Sequence, residues 1–289
     1  MLSLHTNAAT LSAQNSISRT QASLSTSMTR LSTGYRINSA MDDAAGLQIA
    51  TRLKAQTSGM SVAMRNTQNS TSMLQTAEGA LDEVTNMLVR MKDLATQAFD
   101  ASSTADDKTA MQAEYNQLGT ELNNIMTKTT FGGKELLIGG TLGTATGMKF
   151  QIGASAAETM TLDLSGSMGA TGSLNTALGN ASKAYKATAG DELTAAGATN
   201  AIITTLSTAI DSVATVRSSL GAAANRLDHV YNNLANISTN TKNATGRIMD
   251  VDFATESANM TSNQMLMQAG TAMLKQTNSM SSMVMSLLQ

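Results

Sequence analysis

Residues 201–240 read AIITTLSTAI DSVATVRSSL GAAANRLDHV YNNLANISTN. Ile202, Leu206, Ala209, Val213, Val216, Leu220, Ala223, Leu227, Val230, Leu234 and Ile237 recur at alternating spacings of 4 and 3, without a gap. On a helix that spacing gathers every apolar side chain into one narrow stripe. A narrow stripe is buried only against a second helix with a matching stripe, so it predicts a coiled-coil-type bundle.

Matching stripes lie upstream. Leu53, Met60, Thr67, Leu74, Leu81, Leu88 and Ala95 form one heptad series; Gln56, Ala63, Ser70, Ala77, Val84, Met91 and Ala98 interleave with it. From Leu74 onward every position is apolar, whereas Thr67 and Ser70 weaken the first half. A helix over 53–98 spans roughly 70 Å at the usual helical rise. Met111, Tyr115, Leu118, Leu122 and Ile125 repeat the spacing after Asp106 and Asp107, two acids suited to a helix N-terminus. The fold class read from these runs is mainly α: an elongated antiparallel coiled-coil bundle. Between the helical runs, Met148, Phe150 and Ile152 alternate with polar residues, as do Met160, Leu162 and Leu164, which predicts a small β-hairpin. Residues 166–195, rich in Gly, Ala, Ser and Thr, are the least specified part.

Composition excludes much. The 289 residues carry 19 Lys+Arg and 21 Asp+Glu, so no global basic field exists to hold nucleic acid. Without Cys there is no disulfide, thiolate nucleophile or Cys-ligated metal, and without Pro the commonest helix breaker is gone. No apolar run follows Met1 and none is long enough to span a bilayer, so neither a secretory signal peptide nor a membrane segment is expected. His5 and His229 form no zinc-binding pair. Asp42 and Asp43 suit a cap or an intersubunit pair better than a metal, and Asp250 and Asp252 suit a turn. No nucleophile–base constellation stands out, so an enzyme is not expected, nor any cofactor.

The chain ends form a class of their own. Residues 1–35 contain two charged residues, Arg19 and Arg30, and residues 254–289 contain Glu256 and Lys275. Both ends are nevertheless amphipathic. Ile17, Leu24, Met28, Leu31 and Tyr35 mark one stripe; Leu266, Met267, Met273, Leu274, Met280, Val284, Leu287 and Leu288 mark the other. A lone surface helix needs a charged face for solubility, and here that face is Ser, Thr, Asn and Gln. The expected self-assembly residues are therefore Ile17, Leu24, Met28, Leu31, Leu266, Met273, Leu274, Met280 and Leu287. Burying the second stripe contributes roughly 12–24 kcal/mol, against about 1–2 kcal/mol of backbone ordering per residue. Both ends are thus expected to order on association rather than in the free chain.

Two motifs then become specific. Leu31-Ser32-Thr33-Gly34-Tyr35-Arg36-Ile37-Asn38-Ser39-Ala40, followed by Asp42-Asp43-Ala44-Ala45-Gly46, resembles the N-terminal signature of bacterial flagellins. Arg247-Ile248, Asp250-Val251-Asp252-Phe253-Ala254-Thr255-Glu256 and Gln268-Ala269-Gly270-Thr271 resemble their C-terminal signature. The resemblance covers about 1–165 and 200–289.

That resemblance implies a plan. Residues 1–45 are the N-terminal helix of the inner D0 layer and the start of a spoke. Residues 46–165 form the N-terminal part of D1, with its long helix, second helix and hairpin. Residues 166–199 are a short variable insert, 200–245 the C-terminal D1 helix and 246–289 the C-terminal D0 helix, the two terminal helices pairing in the polymer. The implied function is a structural subunit of the flagellar filament, extracellular and exported unfolded without a cleaved signal peptide. The implied partners are further copies of the chain, an export chaperone, and filament cap and junction proteins. Leu88, Arg90, Leu94 and Glu114 resemble the patch that the innate receptor TLR5 reads in some flagellins, with Val89 departing from the usual Gln. A hook–filament junction protein, which shares the terminal helices, is the alternative.

Overall fold

A computed structural model describes residues 8–195 and 200–287, with side chains through 280. His5 and the Leu287 and Leu288 side chains lie outside the described residues. Long helices dominate: α1 spans Ala8–Thr33, α2 Ala44–Ala98, α3 Ala105–Lys128, α6 Ala201–Met249 and α7 Phe253–Leu287. Between α3 and α6 lie strands β1 (Thr130–Phe131), β2 (Lys134–Glu135), β3 (Met148–Gln151) and β4 (Thr159–Leu162), and the short helices α4 (Ser165–Met168) and α5 (Ser173–Ala181). The chain forms two compact units, one of residues 1–57 with 239–289 and one of residues 58–238.

In the unit 58–238 the predicted seam is the core. Leu74, Leu81, Val84, Leu88 and Met91 of α2 are buried together with Leu206, Val213, Val216, Leu220 and Leu227 of α6 and Tyr115, Leu122 and Met126 of α3. Met60 and Ala63 cluster with Leu234, and Arg217 Nη2 stands 3.0 Å from Asp82 Oδ1. Low numbers on α2 thus meet high numbers on α6, so the two run antiparallel. Arg90 Nη2 and Nε both donate to Glu114 Oε1, at 2.7 and 2.8 Å, which makes α3 antiparallel to α2 as well. A capping box starts α3, with Thr104 Oγ1 accepting from the Asp107 amide and Asp107 Oδ2 from the Thr104 amide.

The seam of α6 departs from its predicted course at one end. Ile237 is 38% exposed, and the neighbouring Ser238 is buried instead. A straight helix has 3.6 residues per turn, so a strict 3.5-residue repeat drifts around it until the next position faces inward.

Both hairpins are antiparallel. Gly132 and Gly133, at φ +61° and +80°, supply the two left-handed positions of the tight turn joining β1 to β2. In the second, Phe150 pairs with Met160 and both are buried, as the alternation predicts.

The stretch 166–195 is better specified than its composition suggests. Met168, Leu174, Leu178, Tyr185 and Leu193 join the core of this unit. One face of α3 clasps it. Tyr115 Oη donates to the Ala181 carbonyl at 2.5 Å, and Gln112 Oε1 accepts from the Leu193 amide at 2.6 Å. Gln112 Nε2 donates to Glu192 Oε2 at 2.9 Å, and Asn116 Nδ2 to the Gly190 carbonyl at 3.1 Å. Gly119 makes room: an added Cβ would stand 2.3 Å from Ser182 Oγ. The segment docks by backbone hydrogen bonds as well as by these apolar side chains, and the backbone bonds leave no periodic trace in sequence.

Candidate self-assembly surface

In the unit of residues 1–57 and 239–289, α1 and α7 pack antiparallel within one chain, whereas the sequence reading pairs them in an assembly. Arg30 lies opposite Glu256, and Gly270 lies opposite Ile17. The inward face of α1 follows Ala13, Ile17, Thr20, Leu24, Ser27 and Leu31; that of α7 follows Glu256, Met260, Asn263, Met267, Gly270, Leu274 and Thr277. Both are 4–3 heptads. Half of these positions are small or polar, so this seam buries far less apolar surface than the α2–α6 seam.

A buried charge sits in that seam. Glu256 is only 7% exposed, and Arg30 Nη1 stands 3.7 Å from its Oε2. Sequence reasoning did not pair these residues, although they are two of only four charges in the two ends. Their rarity was the signal, because a charge kept in an otherwise uncharged helix needs a partner.

The predicted assembly residues fall into two groups. Ile17, Leu24, Leu31 and Leu274 line the α1–α7 seam. Leu266, Met273 and Met280 face away from it at 57%, 63% and 58% exposure, seven residues apart, with Met265 beside them. They form a second apolar stripe on α7 that is left open among the described residues. Met28 faces outward on α1.

The signature loops are built from backbone. The Gly34 carbonyl accepts from the Val251 amide at 3.0 Å, and the Arg36 amide donates to the Met249 carbonyl at 2.6 Å. Arg36 Nη2 reaches the Ile248 carbonyl at 3.0 Å. Gly34 takes φ +75°, which a residue with a side chain rarely adopts. Asp42 Oδ2 accepts from the Ser39 and Asn38 amides at 2.8 and 3.0 Å. Those bonds, that of Ser39 foremost, hold its carboxyl below the usual carboxylate range. Asp43 Oδ1 accepts from the Gly46 amide at 2.8 Å and caps α2. Asp252 caps α7, accepting from Thr255 Oγ1 at 2.7 Å and the Ala254 amide at 3.1 Å. These aspartates therefore serve turns and caps. Among the described residues no group of three or more His, Asp or Glu is placed to hold a metal ion, and no helix is long and apolar enough to cross a membrane.

The suggested receptor patch is altered by burial. Leu88 and Leu94 belong to the core and offer no surface. The outer face of that region is Val89 with the exposed Arg90–Glu114 pair.

Residues 4–141 match the bacterial flagellin N-terminal helical region, and residues 203–288 the bacterial flagellin C-terminal helical region. The chain belongs to the bacterial flagellin family. Flagellin A of Vibrio anguillarum is 34% identical, with all of both chains covered. A flagellin of Halalkalibacterium halodurans is 37% identical over 91% of this chain and 90% of its own. The Vibrio alignment runs over 377 positions, more than the length of this flagellin-family chain, so that relative carries residues lacking here. The two family regions leave out 142–202, which contains the clasped segment. A solved structure from Vibrio parahaemolyticus, assigned to the flagellar hook-associated proteins, is 17% identical and shares the fold at a TM-score of 0.54, covering 72% of this chain and all of that one.

Proposed function

We infer that this chain is the structural subunit that polymerises into the bacterial flagellar filament, an extracellular assembly. The observation that carries the reading is the second stripe of α7. Leu266, Met273 and Met280 repeat at heptad spacing and are open in a single chain. A copy that covers its neighbour's stripe leaves its own open for the next copy, and a contact that does not close on itself generates a helical filament. Residues 1–45 and 246–289 are assigned to the inner layer, 46–165 and 200–245 to the next, and 166–199 to the place where longer relatives carry an insert. An export chaperone is assigned to the C-terminal helix, and cap and junction proteins to the growing end and the base.

The test is polymerisation of the purified full chain after addition of a precipitating salt, followed by light scattering and electron microscopy. Long filaments from this one chain type are expected. The triple variant Leu266→Asn, Met273→Asn, Met280→Asn should remain unassembled with an unchanged monomer melting curve. A wild-type chain that never polymerises alone would point to a junction protein instead. For the receptor, the surface on offer is Val89, Arg90 and Glu114; Arg90→Ala is expected to lower TLR5 signalling if that face is read, and unchanged signalling would refute the contact.

A further inference from the structure

Of the 21 methionines, those of the described residues range from fully buried to open, with Met64, Met87, Met148, Met249, Met260 and Met267 in between. Met60, Met91, Met126, Met160 and Met168 are buried at 3% or less. Met265, Met273 and Met280 on α7 are 58–63% exposed and line the open stripe. The chain has no Cys to consume an oxidant first. Solvent-facing thioethers thus stand on the helix face assigned above to subunit packing.

We propose that Met265, Met273 and Met280 form an oxidant-sensitive modification site whose conversion to sulfoxide blocks polymerisation of the subunit, reversibly. The proposal rests on the filament-subunit reading above. In the reaction the thioether sulfur attacks one oxygen of hydrogen peroxide. The O–O bond breaks, an S–O bond forms, and the departing hydroxide takes the remaining proton as water; sulfur loses two electrons and the peroxide gains them. A methionine sulfoxide reductase reverses it: two thiols become a disulfide, and the sulfoxide oxygen leaves as water. The product is a strongly polar group in place of a flexible apolar one. On the free surface of α7 that change is tolerated, because water solvates the new S–O dipole. In a dry intersubunit contact the dipole has no partner, and the contact is lost. The half-buried Met260 and Met267, shielded by α1, react later.

The experiment treats dilute full-length chain with hydrogen peroxide, maps the oxidised methionines by peptide mass spectrometry, and measures the concentration needed for salt-induced polymerisation. Oxidation of Met265, Met273 and Met280 ahead of Met60, Met91 and Met126 is expected. The critical concentration is expected to rise at least ~10-fold, the factor that matches losing about one buried side chain of this size. Incubation with a methionine sulfoxide reductase and a dithiol should restore it. The variant Met265→Leu, Met273→Leu, Met280→Leu should polymerise equally before and after peroxide, although it keeps the exposed Met28 and Met41. Oxidised wild-type chain that polymerises normally overturns the proposal and leaves the filament reading intact. Loss of polymerisation in the oxidised leucine variant overturns it too, by placing the sensitive group elsewhere. Untreated chain that never polymerises sinks both readings.

Discussion

Gly270 faces Ile17 across the pairing of the two terminal helices. An added Cβ would lie 2.8 Å from Ile17 Cγ1, closer than two carbons tolerate. Gly270→Ala therefore sets an overpacking cost of about 1–3 kcal/mol against a helix-propensity gain of about 1 kcal/mol. The net expectation is a loss of up to ~2 kcal/mol in the α1–α7 pairing, by the same balance. Thermal melting of the single variant and of Gly270→Ala with Ile17→Ala checks it, because in the shortened background the same alanine should stabilise. Asp252 shows the electrostatic counterpart. Its bond from the Thr255 hydroxyl, and then that from the Ala254 amide, hold its carboxyl below the usual range. A carboxylate with a lowered folded value contributes stability above its ordinary value of about 4 and loses it as pH falls through the lower one. The first turn of α7 should thus fray only in strong acid. Amide exchange at Ala254 followed from pH 5 to pH 2 reads this directly, and Asp252→Asn should flatten the profile.

Pairing two helices fixes their register as well as their contact, and Arg30 with Glu256 performs that task between α1 and α7. The small and polar heptad positions around Ser27 and Asn263 resist sliding weakly, since many offsets bury similar surface. A buried carboxylate opposite a single guanidinium permits one offset. Arg30→Met should strand the Glu256 carboxylate and cost about 1–3 kcal/mol. Arg30→Met with Glu256→Leu should recover most of that loss while loosening the register. Disulfide trapping between cysteines placed at Ile17 and at successive positions around Gly270 distinguishes the two: one product in wild type, several in the double variant. The helices themselves were legible because heptads at 74–98 and 202–234 are local, periodic and strongly apolar. Ile237 was misplaced because a repeat count ignores helical drift. The clasp on 166–195 left no periodic trace, because its five core side chains are irregularly spaced and much of the rest is backbone groups reaching Gln112, Asn116 and Tyr115. Gly119→Val should wedge that segment off α3, at an overpacking cost near 3 kcal/mol. Fast proteolytic cleavage within 165–195, absent from wild type, is the expected sign. Of the proposed assembly surface, the residue types come from missing charge, but their division between an inner seam and an outer stripe required the α1–α7 pairing.

The contrast between the two compact units is what makes a single copy incomplete. In residues 58–238 three helices share a continuous core in which Leu81, Val84, Leu88, Leu206 and Val213 are fully shielded. In the terminal unit α1 covers one face of α7, and the other face keeps Leu266, Met273 and Met280, with Met265 beside them, in water. Burying Leu266, Met273 and Met280 in an assembly contributes roughly 5–9 kcal/mol per subunit. That is comparable to the whole folding stability of an ordinary domain, about 5–15 kcal/mol. In the proposed assembly the terminal helices thus gain from neighbours what their thin mutual seam does not supply. Two consequences follow for one experiment. In dilute chain, a protease should trim both ends rapidly and leave a fragment of about residues 45–245, because opening a weakly packed helix pair exposes its backbone often. In polymerised material the same protease should leave the ends intact, and the Leu266→Asn, Met273→Asn, Met280→Asn variant should be trimmed at the dilute rate under either condition. Ends that resist cleavage in dilute wild-type chain as firmly as in filaments would show that one copy already gives α1 and α7 all the packing they need, and the outer stripe would lose its role as the driving contact.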